Sequence, residues 1–211
     1  LAGLYTTENG SMDEAYAYKL QNVRRGVNTD WIRAPLRVPF SHTHSLSLSG
    51  RAQKIDYRTS LRFSDKYGVM KGDNRRNYTL NFSIGYHMRD KLTLRYTANY
   101  SLTDAKESPY GDFSAYTRLN PYDTPFDEYG NLVKAFNFDP EDTSTSGDGH
   151  QVNPLYNATL SSFETTRDQT LRNTVDAKWY VTKDFFITGQ FNVDIKTNQY
   201  DRYTSPEDAT V

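Results

Sequence analysis

Between Asn77 and Thr103 the chain reads NYTLNFSIGYHMRDKLTLRYTANYSLT. Tyr78, Leu80, Phe82, Ile84, Tyr86 and Met88 take alternate positions, and Thr79, Asn81, Ser83, Gly85 and His87 take those between. After Arg89, Asp90 and Lys91 the alternation resumes, with Leu92, Leu94, Tyr96, Ala98, Tyr100 and Leu102 against Thr93, Arg95, Thr97, Asn99, Ser101 and Thr103. A period of two puts each set on its own face of a strand. The stretch predicts two antiparallel strands with one apolar and one polar face, and no helical stripe fits either of them.

The same alternation recurs on both sides. Ile55, Tyr57, Leu61 and Phe63 share one parity, while Asp56, Arg58, Ser60, Arg62 and Ser64 hold the other. A weaker run from His42 to Gly50 sets Leu46 and Leu48 against Ser45, Ser47 and Ser49. Later, Leu171, Val175, Ala177 and Trp179 oppose Arg172, Thr174, Asp176 and Lys178. Phe185, Ile187, Phe191, Val193 and Ile195 then oppose Thr188, Gln190, Asn192, Asp194 and Lys196. About six strands result, several far longer than the roughly five or six residues usual in soluble proteins.

The connections sort into two kinds. Gly50 to Lys54, Arg89 to Lys91 and Val181 to Asp184 are tight, whereas Asp65 to Arg76 and Asp104 to about Thr166 are long. Short and long alternate, as in up-and-down membrane barrels; a β-sandwich has no reason to segregate loop length by end. Tyr57, Phe63, Tyr78, Tyr86, Tyr96, Tyr100 and Trp179 lie on the apolar parity, several toward strand ends, as girdles at two lipid interfaces require. The expected fold class is all-β: an antiparallel up-and-down transmembrane β-barrel segment with short periplasmic turns and long extracellular loops. A soluble carbohydrate-binding β-sheet domain would carry the same alternation and differ only in what covers its apolar face.

Composition narrows the alternatives. Hydrophobic residues are 36% of 211 and the mean hydropathy is -0.81, and no stretch approaches the roughly 18 apolar residues of a membrane-spanning helix. With 25 Lys+Arg against 26 Asp+Glu the net charge of -1 supplies no basic field for nucleic acid. The absence of Cys removes disulfides, thiolate metal sites and cysteine nucleophiles.

Four blocks carry a resemblance. Gly26-Val27-Asn28-Thr29-Asp30-Trp31 with Pro35-Leu36-Arg37 comes first, then Tyr67-Gly68-Val69-Met70-Lys71-Gly72. Ser108-Pro109-Tyr110-Gly111-Asp112-Phe113, Arg118-Leu119-Asn120-Pro121-Tyr122 and Asp127-Glu128-Tyr129-Gly130 form the third, and Asn153-Pro154-Leu155-Tyr156 the fourth. In this order they resemble the strand-flanking and external-loop segments of SusC/RagA-type TonB-dependent outer-membrane transporters. The resemblance implies an internal piece of a barrel of about 22 strands around a plug, in the outer membrane of a Gram-negative cell. It implies a SusD-like surface lipoprotein as partner, TonB acting through the plug of the full-length protein, outer-membrane lipid around the wall, and an oligosaccharide or peptide as cargo. On this reading residues 1–41 are an extracellular loop region leading into a strand, 42–103 are four barrel strands, 104–166 are a long extracellular loop, and 167–211 are two barrel strands and the start of the next loop.

The long loop holds the candidate ligand-binding residues, because structureless connections of such length are usually either functional or disordered. Tyr110, Phe113, Tyr116 and Tyr122, with Phe126 and Tyr129, offer flat faces to sugar rings, and Asp112, Arg118, Asn120 and Asp127 offer hydroxyl partners. His42 and His44 have the spacing of a shared metal, but they sit at the polar end of a strand without Cys, and no metal is assigned. Asp139, Glu141, Asp142 and Asp148 lack the order of a calcium loop and read as a solvated tip. Asn81-Phe82-Ser83 and Asn99-Tyr100-Ser101 match the glycosylation triplet inside strands, as by-products of a polar stripe. No nucleophile elbow, phosphate loop or zinc-protease motif is present, so neither catalytic residues nor a cofactor are expected.

Overall fold

The computed structural model describes residues 11–88, 91–138 and 150–209. In chain order its elements are α1 (Ser11–Arg24), β1 (Ser41–Ala52), β2 (Ile55–Tyr67), β3 (Asn74–Met88), β4 (Leu92–Lys106), α2 (Phe113–Thr117), β5 (Ala135–Phe138), β6 (His150–Val152), α3 (Pro154–Asn157), β7 (Phe163–Tyr180) and β8 (Phe186–Tyr203). Six strands form one open sheet in the order β1-β2-β3-β4-β7-β8, and β5 and β6 pair separately. Every neighbouring pair of the large sheet is antiparallel, so it is an up-and-down meander.

The register lines the apolar parities up across the whole sheet. One row runs Leu46, Leu61, Leu80, Tyr100, Leu171, Ile195, and another Gly50, Tyr57, Ile84, Tyr96, Val175, Phe191. Aromatic residues gather at the two ends of this face. Tyr86 and Trp179 lie toward the short turns, and Phe63 and Tyr78, with ring centroids 5.0 Å apart, toward the loops, while Phe163 and Tyr203, 5.9 Å apart, stand further out, past the charged rows at the strand ends. Along β3 the band runs from Tyr78 to Met88, about 33 Å of strand, or roughly 25 Å of height at the tilt of a membrane barrel.

The opposite face is a net of short polar side chains. Thr43 donates to Ser64 at 3.1 Å, Asn81 to Ser60 at 3.2 Å, Thr103 to Asn77 at 2.9 Å and Thr174 to Asn192 at 2.7 Å. Arg172 grips Asp194 with two bonds at 2.8 and 2.9 Å. Near the short turns the Asp56 carboxylate lies over Gly85, where a Cβ would stand 2.6 Å from its Oδ1, and there it meets His87 on β3 and Arg95 on β4. A side chain at position 85 would have to push that carboxylate aside.

The strands run further than alternation alone predicts. Asp65, Arg76, Asp104 and Arg167 put charges on the apolar parity, where the pattern stops, yet the ladder continues through them. The reason is cross-strand neutralisation: Arg76 Nε lies 3.3 Å from Asp65 and Arg167 Nε 2.6 Å from Asp104. The expected long connection between β2 and β3 therefore shrinks to residues 68–73, while the one after β4 stays long. Helix α1 lies within the segment expected to be an extracellular loop region; among its described side chains Asn22 is buried and donates to the Tyr122 carbonyl at 3.0 Å.

The packed core is not on the sheet. Leu46 and Phe191 are 70% and 66% exposed on the apolar face, whereas Trp31, Tyr116, Leu119 and Phe136 form a buried cluster among the loops, with Met70, Tyr110, Val133 and Leu155 against it. The segments that carried the resemblance thus supply most of a cap at one end of the sheet. A single meander with a bare apolar face this wide exceeds the patches that a soluble monomer tolerates.

Candidate functional site

The cap is built by backbone groups that meet across long sequence separations. The Trp31 indole Nε1 donates to the Asn120 carbonyl at 3.0 Å, and its ring meets Phe136 edge-on at 5.4 Å. Thr29 donates its amide to the Pro121 carbonyl and its hydroxyl to the Asp123 carbonyl, each at 2.8 Å. Asn153, fully buried, donates to the carbonyls of Pro125 at 3.2 Å and Val133 at 2.8 Å, while its Oδ1 accepts from the Leu155 amide at the start of α3. One side chain thus caps a helix and closes the loop upon it. The 68–73 connection joins the cap through Lys71, which donates to the Ala34 carbonyl at 2.6 Å and accepts from the Ser108 hydroxyl at 2.7 Å. Gly72, at φ +83°, lies so close to Pro109 that a Cβ would come within 2.3 Å of the proline ring.

Between this cap and the loop ends of β4, β7 and β8 lies an open cleft of about 1180 Å³. Its walls carry both signs of charge: Lys106, Arg118 and Arg202 against Glu107, Asp112, Glu164 and Asp208. Arg202 and Glu164 face each other at 3.8 Å across β7 and β8. Tyr110, Phe163 and Tyr203 add aromatic surface. Such a mixture suits a polar, flexible ligand with donors and acceptors along its length.

The predicted ligand-binding residues divide. Tyr110, Asp112 and Arg118 line the cleft. Phe113, Tyr122, Phe126 and the 89% exposed Tyr129 stand on the outer surface of the cap. Tyr116 does not fit a stacking role, since its ring has no exposed surface; its hydroxyl is buried without a hydrogen-bond partner among the described residues, and burial pushes the phenol well above its usual range. Asn120 turns inward, its carbonyl on Trp31 and its Oδ1 accepting from the Tyr122 amide at 3.1 Å. Asp127 is engaged by its own turn: its Oδ1 accepts from the amides of Asn131 at 2.8 Å and Tyr129 at 2.9 Å. Those bonds, led by the Asn131 backbone, hold its carboxyl below the usual carboxylate range. Glu107 joins Asp112 in the cleft wall, and Glu164, Arg202 and Asp208 join them without having been singled out, because only the fold brings them together.

His42 and His44 have ring centroids 5.1 Å apart within an aromatic group that includes Phe40 and Phe63. No group of three metal-ligating side chains occurs among the described residues. The acidic stretch from Asp139 to Asp148 lies outside them. The glycosylation-like triplets lie within β3 and β4.

No family model matches the chain. Among curated proteins it is 21% identical over 187 residues to the TonB-dependent receptor P26 of Formosa agariphila, which covers 85% of this chain and 17% of that protein. It is 24% identical over 173 residues to the TonB-dependent receptor SusC of Bacteroides thetaiotaomicron, covering 74% and 17%. Among solved structures, the RagAB peptide importer superposes with a TM-score of 0.66 in its closed-closed state and 0.67 in its open-open state. Identity there is 15% and 16%, over 87% of this chain and 20% of the other in both states. The resemblance to SusC/RagA-type receptors is borne out in sequence and in fold, and the chain spans about a sixth of the curated relatives' length.

Proposed function

We propose that this chain is a stretch of barrel wall and exterior cap from a TonB-dependent transporter of the outer membrane of Gram-negative bacteria. The observation that carries the reading is the inverted distribution of apolar surface: a bare, aromatic-bordered band about as tall as a bilayer core, beside a core confined to the loops. In a closed barrel the band meets lipid and the hydrogen-bonded polar face lines the lumen, so β1 and β8 pair onward with further strands. The cap end, with the longer connections, faces the cell exterior.

The cargo is a polar oligomer, an oligosaccharide or a peptide, gathered at the cleft and cap and passed inward under the action of TonB on a plug. A SusD-like lipoprotein rests on the exposed surface that bears Phe113, Tyr122, Phe126 and Tyr129. Peptide cargo finds support in the mixed charge of the cleft; the exposed rings favour sugar. Labelled oligosaccharide and peptide libraries, offered to cells carrying or lacking the full-length protein and TonB, test the proposal. Uptake of either class that needs both components is the expected result. Accumulation that is indifferent to TonB would defeat it.

A further inference from the structure

Just beyond the loop-side end of the apolar band, on the same outward face, four cations converge on a second cleft of about 540 Å³: Arg37, Arg76, Lys106 and Arg167. Two carboxylates, Asp104 and Asp201, also line it and Asp65 pairs with Arg76 from behind, so the group of four cations and three carboxylates keeps one net positive charge. Arg76 and Arg167 come from the outward parity of β3 and β7, and their side chains stay 51% and 53% exposed although each touches an aspartate. Arg37 reaches over the Tyr67 ring at 5.1 Å and donates to the Gly68 carbonyl, which fixes its guanidinium at the rim. Lys106 faces neutral Asn74 and Thr165 on its neighbouring strands and makes no ion pair among the described residues.

Position decides what such a cluster is for. One pleat repeat below Arg76 along β3 stands Tyr78, in the row of Phe63 and Leu102, a step of about 7 Å. A molecule that placed an anion among the cations would therefore lay its remainder on the apolar band. We propose that this cleft binds the phosphate of a phosphorylated glycolipid of the outer leaflet, its acyl chains lying along the band below. Guanidinium groups pair with phosphate oxygens in fork geometry, and basic pockets level with headgroups recognise anionic lipids. A soluble anion would use the cations but not the apolar floor. The inference rests on the reading of this face as lipid-covered.

The test uses the full-length protein in micelles, titrated with lipid A, with the same lipid stripped of its phosphates, and with inorganic phosphate. Lipid A should bind at least tenfold more tightly than the stripped lipid, and inorganic phosphate at equal concentration should not displace it. Arg76→Gln, Lys106→Gln and Arg167→Gln together should remove the tenfold preference. Lys106→Gln alone, which breaks no ion pair, should reduce it about threefold, and Arg172→Gln on the polar face should leave it intact. Equal binding of the two lipids, or a preference that survives the triple change, overturns the proposal, as does displacement by inorganic phosphate. Folding of the protein into neutral vesicles is scored separately by its heat-modifiable mobility. Failure there sinks the membrane reading and this site together, whereas folding without phosphate preference sinks this site alone.

Discussion

Trp31 and Asn120 are joined by an indole-to-carbonyl hydrogen bond of 3.0 Å that spans 89 positions of the chain. The bond draws the segment before β1 onto the excursion after β4, and the Trp31 ring is 2% exposed beneath it. Trp31→Ala should therefore open a cavity and cost the cap about 3 to 5 kcal/mol. Limited proteolysis of the full-length protein should then cut between Tyr122 and Val133 faster than in the native cap. An unchanged cleavage pattern would mean that the cluster does not hold the cap.

The same reasoning separates two tyrosines. Tyr122 is exposed, and stacking on one ring contributes on the order of 1 kcal/mol, so Tyr122→Ala should weaken uptake less than about tenfold with the cap intact. Tyr116 is wholly buried, and Tyr116→Ala should loosen the cap by roughly 3 kcal/mol. Thermal unfolding and uptake measured side by side discriminate the two; equal melting losses would contradict the division into surface and core.

Depth in the bilayer should show along β3. Ile84 sits near mid-band between Tyr57 and Tyr96, and Ile84→Arg should cost roughly 2 to 4 kcal/mol of folding into vesicles. Met88→Arg at the rim should cost at most about 1 kcal/mol, and Ser83→Asn on the polar face still less. If these three changes act alike, the outward face does not meet lipid.

The Asp127 turn should respond to acid. Its carboxyl is held below the usual range chiefly by the Asn131 amide, so the unfolded turn binds its proton first as pH falls. The stabilisation is present above the ordinary aspartate value of about 3.9 and disappears as pH drops through the lower folded value. Protease access to Tyr129 should thus stay constant from neutral pH to about pH 4 and rise below it. Asp127→Ala should show the raised access at every pH.

Gly72→Ala joins a strained backbone at φ +83° to a Cβ that would lie 2.3 Å from Pro109. The change should cost at least about 1 kcal/mol and separate the 68–73 connection from the excursion after β4. Weaker protection of the Lys71 amide in hydrogen exchange is the readout; it donates to the Pro35 carbonyl at 2.8 Å.

The sheet was legible because period-two alternation is a property of single strands, visible wherever one face is apolar. It faded at Asp65, Arg76, Asp104 and Arg167, since a charge on the apolar parity is tolerable only beside its partner, and partners are set by register. Helix α1 escaped for a related reason: what fixes it includes a buried Asn22 rather than an apolar stripe. In the loop, aromatic content located the right segment but could not tell Tyr116 from Tyr122, because a ring that packs and a ring that waits for a ligand are the same residue. The cleft acids Glu164 and Asp208 carried no local signal at all.

The excursion between Lys106 and Phe163 also bears on how the sheet assembles. The turns at the other end close cheaply, but a flexible connection of roughly 55 residues adds about 3 kcal/mol of closure entropy over a two-residue turn. Pairing of β4 with β7 would then be the slow join of the meander. A cap that condenses first changes this, for the Glu107 amide donates to the Glu164 carbonyl at 3.0 Å directly above the paired strand ends. A cap folded ahead of the wall would act as a clasp that delivers the two strands already in register. The nucleus for zipping the wall together would then lie outside the wall, and damage to the Trp31 cluster should slow assembly of the sheet.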